Sequence, residues 1–110
     1  MFSAAQDLLH EAEMQMNLSH KNIVRMIAVV FEKKNYGVLL EYMKYGTLKD
    51  FMKEYTVPPL WKVKMIHDIA LGINYLHTQE RPMIHGDLKV KNVLVHESFT
   101  AQVSLRYPRL

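Results

Sequence analysis

The sequence lacks cysteine altogether, and it has only four glycines and four prolines in 110 residues. Without cysteine the chain has neither a disulfide framework nor a thiolate metal site. No apolar run approaches the roughly 18 residues that a membrane-spanning helix needs, so we expect no membrane segment in this chain. The N-terminus carries no basic region ahead of an apolar core, so we expect no secretory signal. These absences together predict a cytoplasmic protein.

Charge and composition narrow the class further. The net charge is +3, but the 14 basic residues are scattered among 11 acidic ones, so we expect no nucleic-acid partner. Hydrophobic residues make up 49% of the chain and charged residues 23%, which is typical of a soluble globular protein with a packed core. The length fits one small domain.

The first third of the chain predicts one helix and a β-hairpin. Ser3 and Gln6 form a capping-box pattern, and helical spacing of apolar residues then predicts a helix from about Ala4 to Asn17. Two runs rich in β-branched and aromatic residues follow, separated by four polar residues, and they predict the strands Ile23–Phe31 and Tyr36–Glu41. Because a two-stranded hairpin is marginal alone, we expect it to need a sheet partner.

The middle of the chain predicts two helices. Thr47 opens a short helix with an apolar face of Leu48, Phe51, Met52 and Tyr55. The second helix runs from Leu60 to His77, and Gly72 inside it costs about 1 kcal/mol relative to alanine unless close packing requires it. We expect Asp68 to face away from its neighbour His67, and the histidines of this helix to be structural rather than zinc ligands. The predicted apolar stripe consists of Ile66, Ile69, Ala70, Ile73 and Leu76, broadened by Trp61 and Met65.

Residues 85–92, which read His-Gly-Asp-Leu-Lys-Val-Lys-Asn, concentrate the chemistry of the chain. Short apolar segments on both sides predict a polar loop between two buried strands. Asp87 can accept a proton, and Lys89 points the same way if the backbone is extended. Asn92 offers a carbonyl oxygen suited to a hard cation such as Mg²⁺. A base, a cation and a metal ligand within six residues favour chemistry on a phosphate ester.

This stretch resembles the catalytic loop of the eukaryotic protein kinases, H-R-D-L-x-x-x-N, with Gly86 in place of the arginine. The resemblance implies that Asp87 orients and deprotonates the substrate hydroxyl, that Lys89 neutralises charge on the phosphoryl group, and that His85 braces the loop. Asn92 would hold a Mg²⁺ ion. Within the family, the lysine favours serine/threonine and tyrosine-kinase-like enzymes, and the wider pattern is most similar to the receptor-interacting kinases.

The resemblance also implies a set of nucleotide contacts. Glu11 would pair with the lysine that holds the ATP phosphates, although Glu13 competes for this role and a solvated helix glutamate is the alternative. Asp50 would contact the ribose, or else serve only as a first-turn acid of its helix. Residues 40–48 are similar to the kinase hinge. The alternative interpretation of these residues is a strand end that runs into a glycine turn and needs no ligand. The remaining contacts would be Leu40 as gatekeeper, Glu41 and Met43 through their backbones, and Leu94 under adenine.

The implied fold is α+β, a partial kinase fold with both lobes incomplete. It would comprise helix C, strands 4 and 5, the hinge, helices D and E, the catalytic loop and strands 7 and 8. We expect a partial small lobe over residues 1–41, a hinge over 42–46, a partial large lobe over 47–104 and a divergent tail over 105–110.

The implied function is transfer of the ATP γ-phosphate to serine or threonine hydroxyls of protein substrates in signalling, with Mg²⁺. The 110 residues contain no Gly-rich loop, strand lysine or Asp-Phe-Gly, so we expect the chain to be inactive alone. The alternative is a pseudokinase-like fragment that binds signalling partners without catalysis. An unrelated small α+β binding domain is a third possibility, which the family order of the motifs disfavours.

Overall fold

A computed structural model of the chain describes residues 10, 12–32, 35–79 and 88–105. Within the predicted N-terminal helix, residues 12–16 are helical, and Ala12 and Gln15 are buried there. Residue 10 is also helical, whereas Asn17, the predicted last residue, lies in a turn. The other residues of the predicted helix lie outside the described residues.

The predicted hairpin is present with different boundaries. Strand β1 covers Met26–Glu32 and strand β2 covers Asn35–Leu40, and they pair antiparallel. Glu32 pairs with Asn35, so these two residues belong to the strands rather than to the four-residue loop that was predicted. Ile23 was also predicted in the first strand. It forms an isolated parallel bridge with Val103 instead, because the chain before β1 pairs with a different sheet.

The two predicted helices of the middle segment are confirmed. Helix α1 covers Leu48–Glu54 and helix α2 covers Pro59–His77. Proline suits the start of α2, where its missing N–H has no intrahelical partner in any case. On α1, Leu48 and Phe51 are buried, whereas Met52 is largely exposed, so the buried face is narrower than predicted.

The buried face of α2 differs from the predicted stripe. Met65, Asp68, Gly72 and Leu76 are buried, whereas His67 is exposed, so Asp68 faces away from its neighbour as predicted. Ile66, the first residue of the predicted stripe, is 66% exposed. The stripe is thus confirmed in part, since its members Ile69 and Ile73 do pack against the core. Apolar spacing could not indicate that a glycine and an aspartate share this face.

The opposite side of α2 carries exposed apolar side chains. Leu60, Val63 and Ile66 follow one another at helical spacing with 81%, 63% and 66% of their surface exposed. These positions form one apolar ridge. Nothing among the described residues covers this ridge.

A second sheet follows the central polar loop. Strands β3 (Val93–Val95) and β4 (Ala101–Val103) pair antiparallel. Strand β3 is the short buried strand predicted after the polar loop, whereas the one predicted before the loop lies outside the described residues. The turn between them places Phe99 at φ 62°, a conformation that costs free energy for a bulky residue. The Phe99 ring offsets that cost by packing between Tyr45 and Trp61, at centroid distances of 4.9 and 5.0 Å.

The core lies between the helices and this second sheet, in two clusters. The first joins α1, α2, β3 and β4. The second joins α2 and β4 to the segment before β1, and it includes Leu105, the first residue of the predicted tail. The first cluster contains Leu48, Phe51, Val57, Met65, Val93, Val95 and Ala101, and the second contains Ile23, Leu76, Val103 and Leu105.

Asn22 connects the N-terminal segment to the rest of the molecule. Its backbone carbonyl accepts the Val103 N–H at 2.8 Å, and its side-chain amide donates to the Ala101 carbonyl at 3.0 Å. The same carbonyl lies against α2 at Gly72, where an added Cβ would be only 2.6 Å from the Asn22 oxygen. Close packing therefore explains why a glycine is found inside this helix.

Asp68 supports the other side of β4. Its carboxylate accepts the Ala101 N–H at 3.1 Å and lies 2.9 Å from the Lys64 ammonium, one helical turn earlier. Asp68 is 4% exposed, whereas half of the Lys64 side chain is exposed. The buried backbone N–H is thus satisfied by a charged acceptor, which makes a strong hydrogen bond.

Gly72→Ala should destabilise the chain by about 1–3 kcal/mol, because the new methyl group cannot enter the space that the Asn22 carbonyl occupies. Urea unfolding followed by circular dichroism measures this. Gly37→Ala is the matched control, since no atom lies within 4 Å of its added Cβ. Equal stability of the two variants would contradict the close contact.

Asp68→Ala should cost about 1–3 kcal/mol, because it leaves the buried Ala101 N–H without an acceptor. Lys64→Ala should cost less than about 1 kcal/mol, since a half-exposed partner contributes little. The same unfolding experiment compares them. If the lysine variant proved as damaging as the aspartate variant, the ion pair rather than the backbone hydrogen bond would be the important interaction.

Candidate functional site

Residues 41–46, which we call the hinge segment, lie beside the end of β3. The Tyr45 N–H donates to the Val95 carbonyl at 3.3 Å, and the Val95 N–H donates to the Gly46 carbonyl at 2.9 Å. Gly46 has φ 66°, and its N–H closes a turn onto the Met43 carbonyl at 3.1 Å. Glycine suits this left-handed position, so the predicted glycine turn and the predicted hinge occupy the same place.

The other end of the hinge segment is fixed to β1. Leu40 pairs with Met26 at the end of the hairpin, and the Glu41 N–H donates to the Arg25 carbonyl at 3.0 Å. Leu40, Glu41 and Met43, the three predicted adenine contacts of this segment, are all partly exposed. They therefore lie on one continuous stretch of backbone that is held at both ends.

Leu94 is the next predicted contact. It lies in the middle of β3, opposite Gln102 of β4, and forms an antiparallel bridge with Thr47. Its side chain is half-buried. The structure thus brings Leu94 next to the C-terminal end of the hinge segment, and its contact with adenine stays a prediction.

Lys89 and Asn92 occupy a tight turn before β3. Residues Val90–Asn92 form one turn of 3-10 helix, and the Asn92 N–H donates to the Lys89 carbonyl at 2.8 Å. The Asn92 carbonyl in turn accepts the Ser104 N–H at 2.8 Å, which attaches this turn to the end of β4. Lys89 is exposed and Asn92 is half-buried. These backbone bonds therefore hold Lys89 and Asn92 in the turn directly before β3, the strand that contains Leu94.

Three predicted site residues cannot be placed. Glu11, His85 and Asp87 lie outside the described residues, so their predicted roles stay predictions. The distance from Asp87 to Lys89 or Asn92 is likewise outside the described structure.

Asp50 lies in the first turn of α1 and is exposed. The Thr47 hydroxyl accepts the Asp50 backbone N–H at 3.1 Å, so the capping group is the threonine side chain. The Asp50 carboxylate adds favourable charge at the helix N-terminus. This leaves the carboxylate accessible on the segment that follows the hinge, and a ribose contact stays a prediction.

His96 belongs to none of the motifs in the sequence, but the structure places it at the hinge segment. It follows β3, and its Nε2 atom lies 3.6 Å from the Glu41 carboxylate. Glu41 also lines an open cleft of about 380 Å³, together with Arg25, Lys21 and Gln102. Nothing in the sequence pattern marks this contact, because the two residues are 55 positions apart and meet only through the pairing of β3 with the hinge segment.

The donor set for a metal ion is small in the described structure. Across residues 12–32, 35–79 and 88–105, no three His, Asp or Glu side chains lie close enough together to bind a metal. Mg²⁺ commonly uses only one or two protein ligands together with nucleotide phosphates. Asn92 carries an amide oxygen of the type that Mg²⁺ binds, and its role as a ligand stays a prediction. Within the same ranges, no helix is long and apolar enough to span a membrane.

Comparison with known families agrees with this arrangement. The family described as "Protein tyrosine and serine/threonine kinase" matches residues 2–105. The chain belongs to this kinase family. The match includes the hinge segment, both sheets and the polar loop before β3, so the kinase resemblance of the sequence motifs is confirmed.

Individual relatives are serine/threonine kinases by name. Receptor-interacting serine/threonine-protein kinase 2 of Bos taurus is 33% identical over 106 residues, which is 93% of this chain and 20% of that protein. Serine/threonine-protein kinase VIK of Arabidopsis thaliana is 38% identical over 84% of this chain and 22% of its own length. Receptor-interacting serine/threonine-protein kinase 1 of Homo sapiens is 36% identical over 88% of this chain and 14% of its own length. The chain thus spans about a fifth or less of these kinases.

Thr47→Ala should lower the free energy of unfolding by about 1 kcal/mol, because the Asp50 N–H loses its capping acceptor. Thr47→Ser keeps the hydroxyl and should retain most of the stability. Thermal unfolding of the two variants measures the difference. Equal losses would show that the threonine methyl group, rather than the cap, is important.

Proposed function

We propose that this chain is part of a serine/threonine protein kinase domain, and that it contributes the adenine-binding hinge and the catalytic loop. The whole protein would bind Mg-ATP and transfer the γ-phosphate to serine or threonine hydroxyls of protein substrates. The observation that supports this most is the backbone attachment of the hinge segment to β3. Leu94 lies on this strand, and Asn92 lies in the turn directly before it.

Nucleotide binding is the first part of the proposal. The backbone of Glu41 and Met43 would meet the adenine edge, and Leu94 would pack against its face. Leu40 would close the pocket behind the base, since an apolar side chain there offers no hydrogen bond. Main-chain groups held at both ends of the segment cost little further entropy when they order around a ligand.

Phosphoryl transfer is the second part. Such reactions depend on positioning and on neutralisation of charge more than on covalent help from the protein. Lys89 would neutralise charge on the transferring group, and Asn92 would hold a Mg²⁺ ion, which supplies charge neutralisation between the phosphates. Asp87 would orient the substrate hydroxyl, with His85 bracing the loop, and Glu11 would hold the lysine that binds the phosphates. Gly86 removes the arginine that pairs with an activation-loop phosphate in many kinases, so that form of switching would be absent.

A second candidate function is a pseudokinase-like role in binding signalling partners. Two observations favour it. Leu105 follows the β4 segment where the family pattern continues with aspartate, and it is buried in the second core cluster. The apolar ridge Leu60, Val63 and Ile66 is exposed on α2. By themselves the 110 residues would then bind partners without transferring phosphate.

Mg-ATP binding separates these two functions. If a nucleotide site exists, Mg-ATP at 100-fold its dissociation constant should raise the melting temperature by on the order of 10 °C, through about 2.7 kcal/mol of linkage. Asn92→Ala should lose most of the Mg²⁺-dependent part, because it removes an oxygen ligand but keeps the backbone bond to Ser104. Differential scanning fluorimetry with and without Mg²⁺ measures both effects.

Asn74→Ala is the matched control, since Asn74 is an exposed asparagine on α2 and is distant in sequence from the hinge segment. The nucleotide effect should be unchanged in it. An identical Mg-ATP response of the Asn92 and Asn74 variants would contradict the metal role of Asn92. No response in the wild-type chain would favour the partner-binding function.

A further inference from the structure

The turn that joins β3 to β4, residues 96–100, contacts the hinge segment at both of its ends. At the C-terminal end, the Phe99 ring stacks on Tyr45 at 4.9 Å, next to the Tyr45–Val95 backbone bond. At the N-terminal end, the His96 imidazole faces Glu41. Val95 and His96 are adjacent residues, so two consecutive positions at the end of β3 attach both ends of the hinge segment.

The orientation of His96 is defined by its own turn. The His96 N–H donates to the Thr100 carbonyl at 3.0 Å, which fixes the backbone. The Ser98 N–H donates to Nδ1 of the ring at 3.2 Å. Nδ1 also lies 3.0 Å from the Ser98 hydroxyl, so its turn holds the ring through two contacts. When Nδ1 accepts the Ser98 N–H, the neutral ring carries its proton on Nε2, the atom nearer to Glu41. The Nε2–Oε1 distance of 3.6 Å is an electrostatic contact, too long for a direct hydrogen bond.

The contact can order the hinge segment without adding much global stability. The His96 side chain is 26% exposed and that of Glu41 is 39% exposed, and partly exposed pairs contribute little to the free energy of unfolding. Among the described residues, the Glu41 side chain forms no ion pair other than the one with His96. The Glu41 backbone N–H donates to the Arg25 carbonyl. The contact with His96 gives Glu41 a second attachment, through its side chain.

We infer that His96 is a positioning residue for nucleotide binding, which acts by holding Glu41 and thereby orienting the backbone of residues 41–43. This inference rests on the proposed function, because it assigns the oriented backbone to the adenine contact. His96 itself does not touch the nucleotide. It sets the conformation of the segment that does.

Amide hydrogen exchange of residues 42–46 tests the positioning role without any nucleotide. His96→Ala and Glu41→Ala should each raise the exchange rate of these amides about 3- to 10-fold, and the double variant should raise it no further, because both remove the same contact. His96→Gln should restore part of the protection, since its amide N–H can replace the imidazole Nε2–H. Glu97→Ala, an exposed neighbour, is the control and should change nothing.

Mg-ATP titration tests the consequence. His96→Ala should weaken binding about 3- to 10-fold with an unchanged melting temperature of the free chain, and His96→Gln should recover part of the affinity. Equal affinity of wild type and His96→Ala would overturn the inference, as would unchanged or additive exchange rates. No Mg-ATP binding by the wild-type chain would contradict the proposed function and with it this role, whereas unchanged exchange rates alone would contradict only the role of His96.

Discussion

The close contact between Asn22 and Gly72 is the constraint on which the rest of the structure depends. Because α2 presents no side chain at Gly72, the Asn22 carbonyl can reach both the helix and the N–H of Val103. The Asn22 amide reaches the Ala101 carbonyl from the same position. One residue thereby aligns the segment before β1, the middle of α2 and strand β4, and the remaining contacts follow from that alignment.

The alignment extends to the candidate site through β4. The Ala101 carbonyl accepts from the Asn22 side-chain amide and the Ala101 N–H donates to the Asp68 carboxylate, so the backbone of β4 is bonded to side chains of the N-terminal segment and of α2. Strand β3 pairs with β4, and the hinge segment is attached to β3. The position of the candidate adenine contacts is thus determined by buried polar groups at some distance from them. Buried hydrogen bonds of this kind define one arrangement more strictly than apolar packing, because each unsatisfied group carries a cost.

Much of the fold could be predicted from the sequence, but the contacts that fix it could not. The positions of α1, α2 and the hairpin follow from the threonine cap, the paired prolines and the β-rich runs, all of which are local signals. The buried face of α2 was predicted only in part, because Met65 and Leu76 are buried as expected whereas Ile66 is exposed. Apolar spacing does not indicate that Gly72 and Asp68 also lie on this face. The motifs indicated Lys89, Asn92 and Leu94, and their family is confirmed. His96 could not be found in this way, since its contact with Glu41 depends on strand pairing between distant parts of the chain.

The bond from the Glu41 N–H to the Arg25 carbonyl has a mechanical consequence for the hairpin. Arg25 directly precedes β1 and Glu41 directly follows β2, and these two residues lie side by side. The hairpin is therefore attached to the helices by a narrow two-stranded ribbon, with Val24 on one side fixed to Val103 and Tyr45 on the other fixed to Val95. The pairing of β1 with β2 ends at Met26 and Leu40, so any change in the angle between the hairpin and the second sheet has to be taken up at residues 25 and 41, beside the bond that joins them.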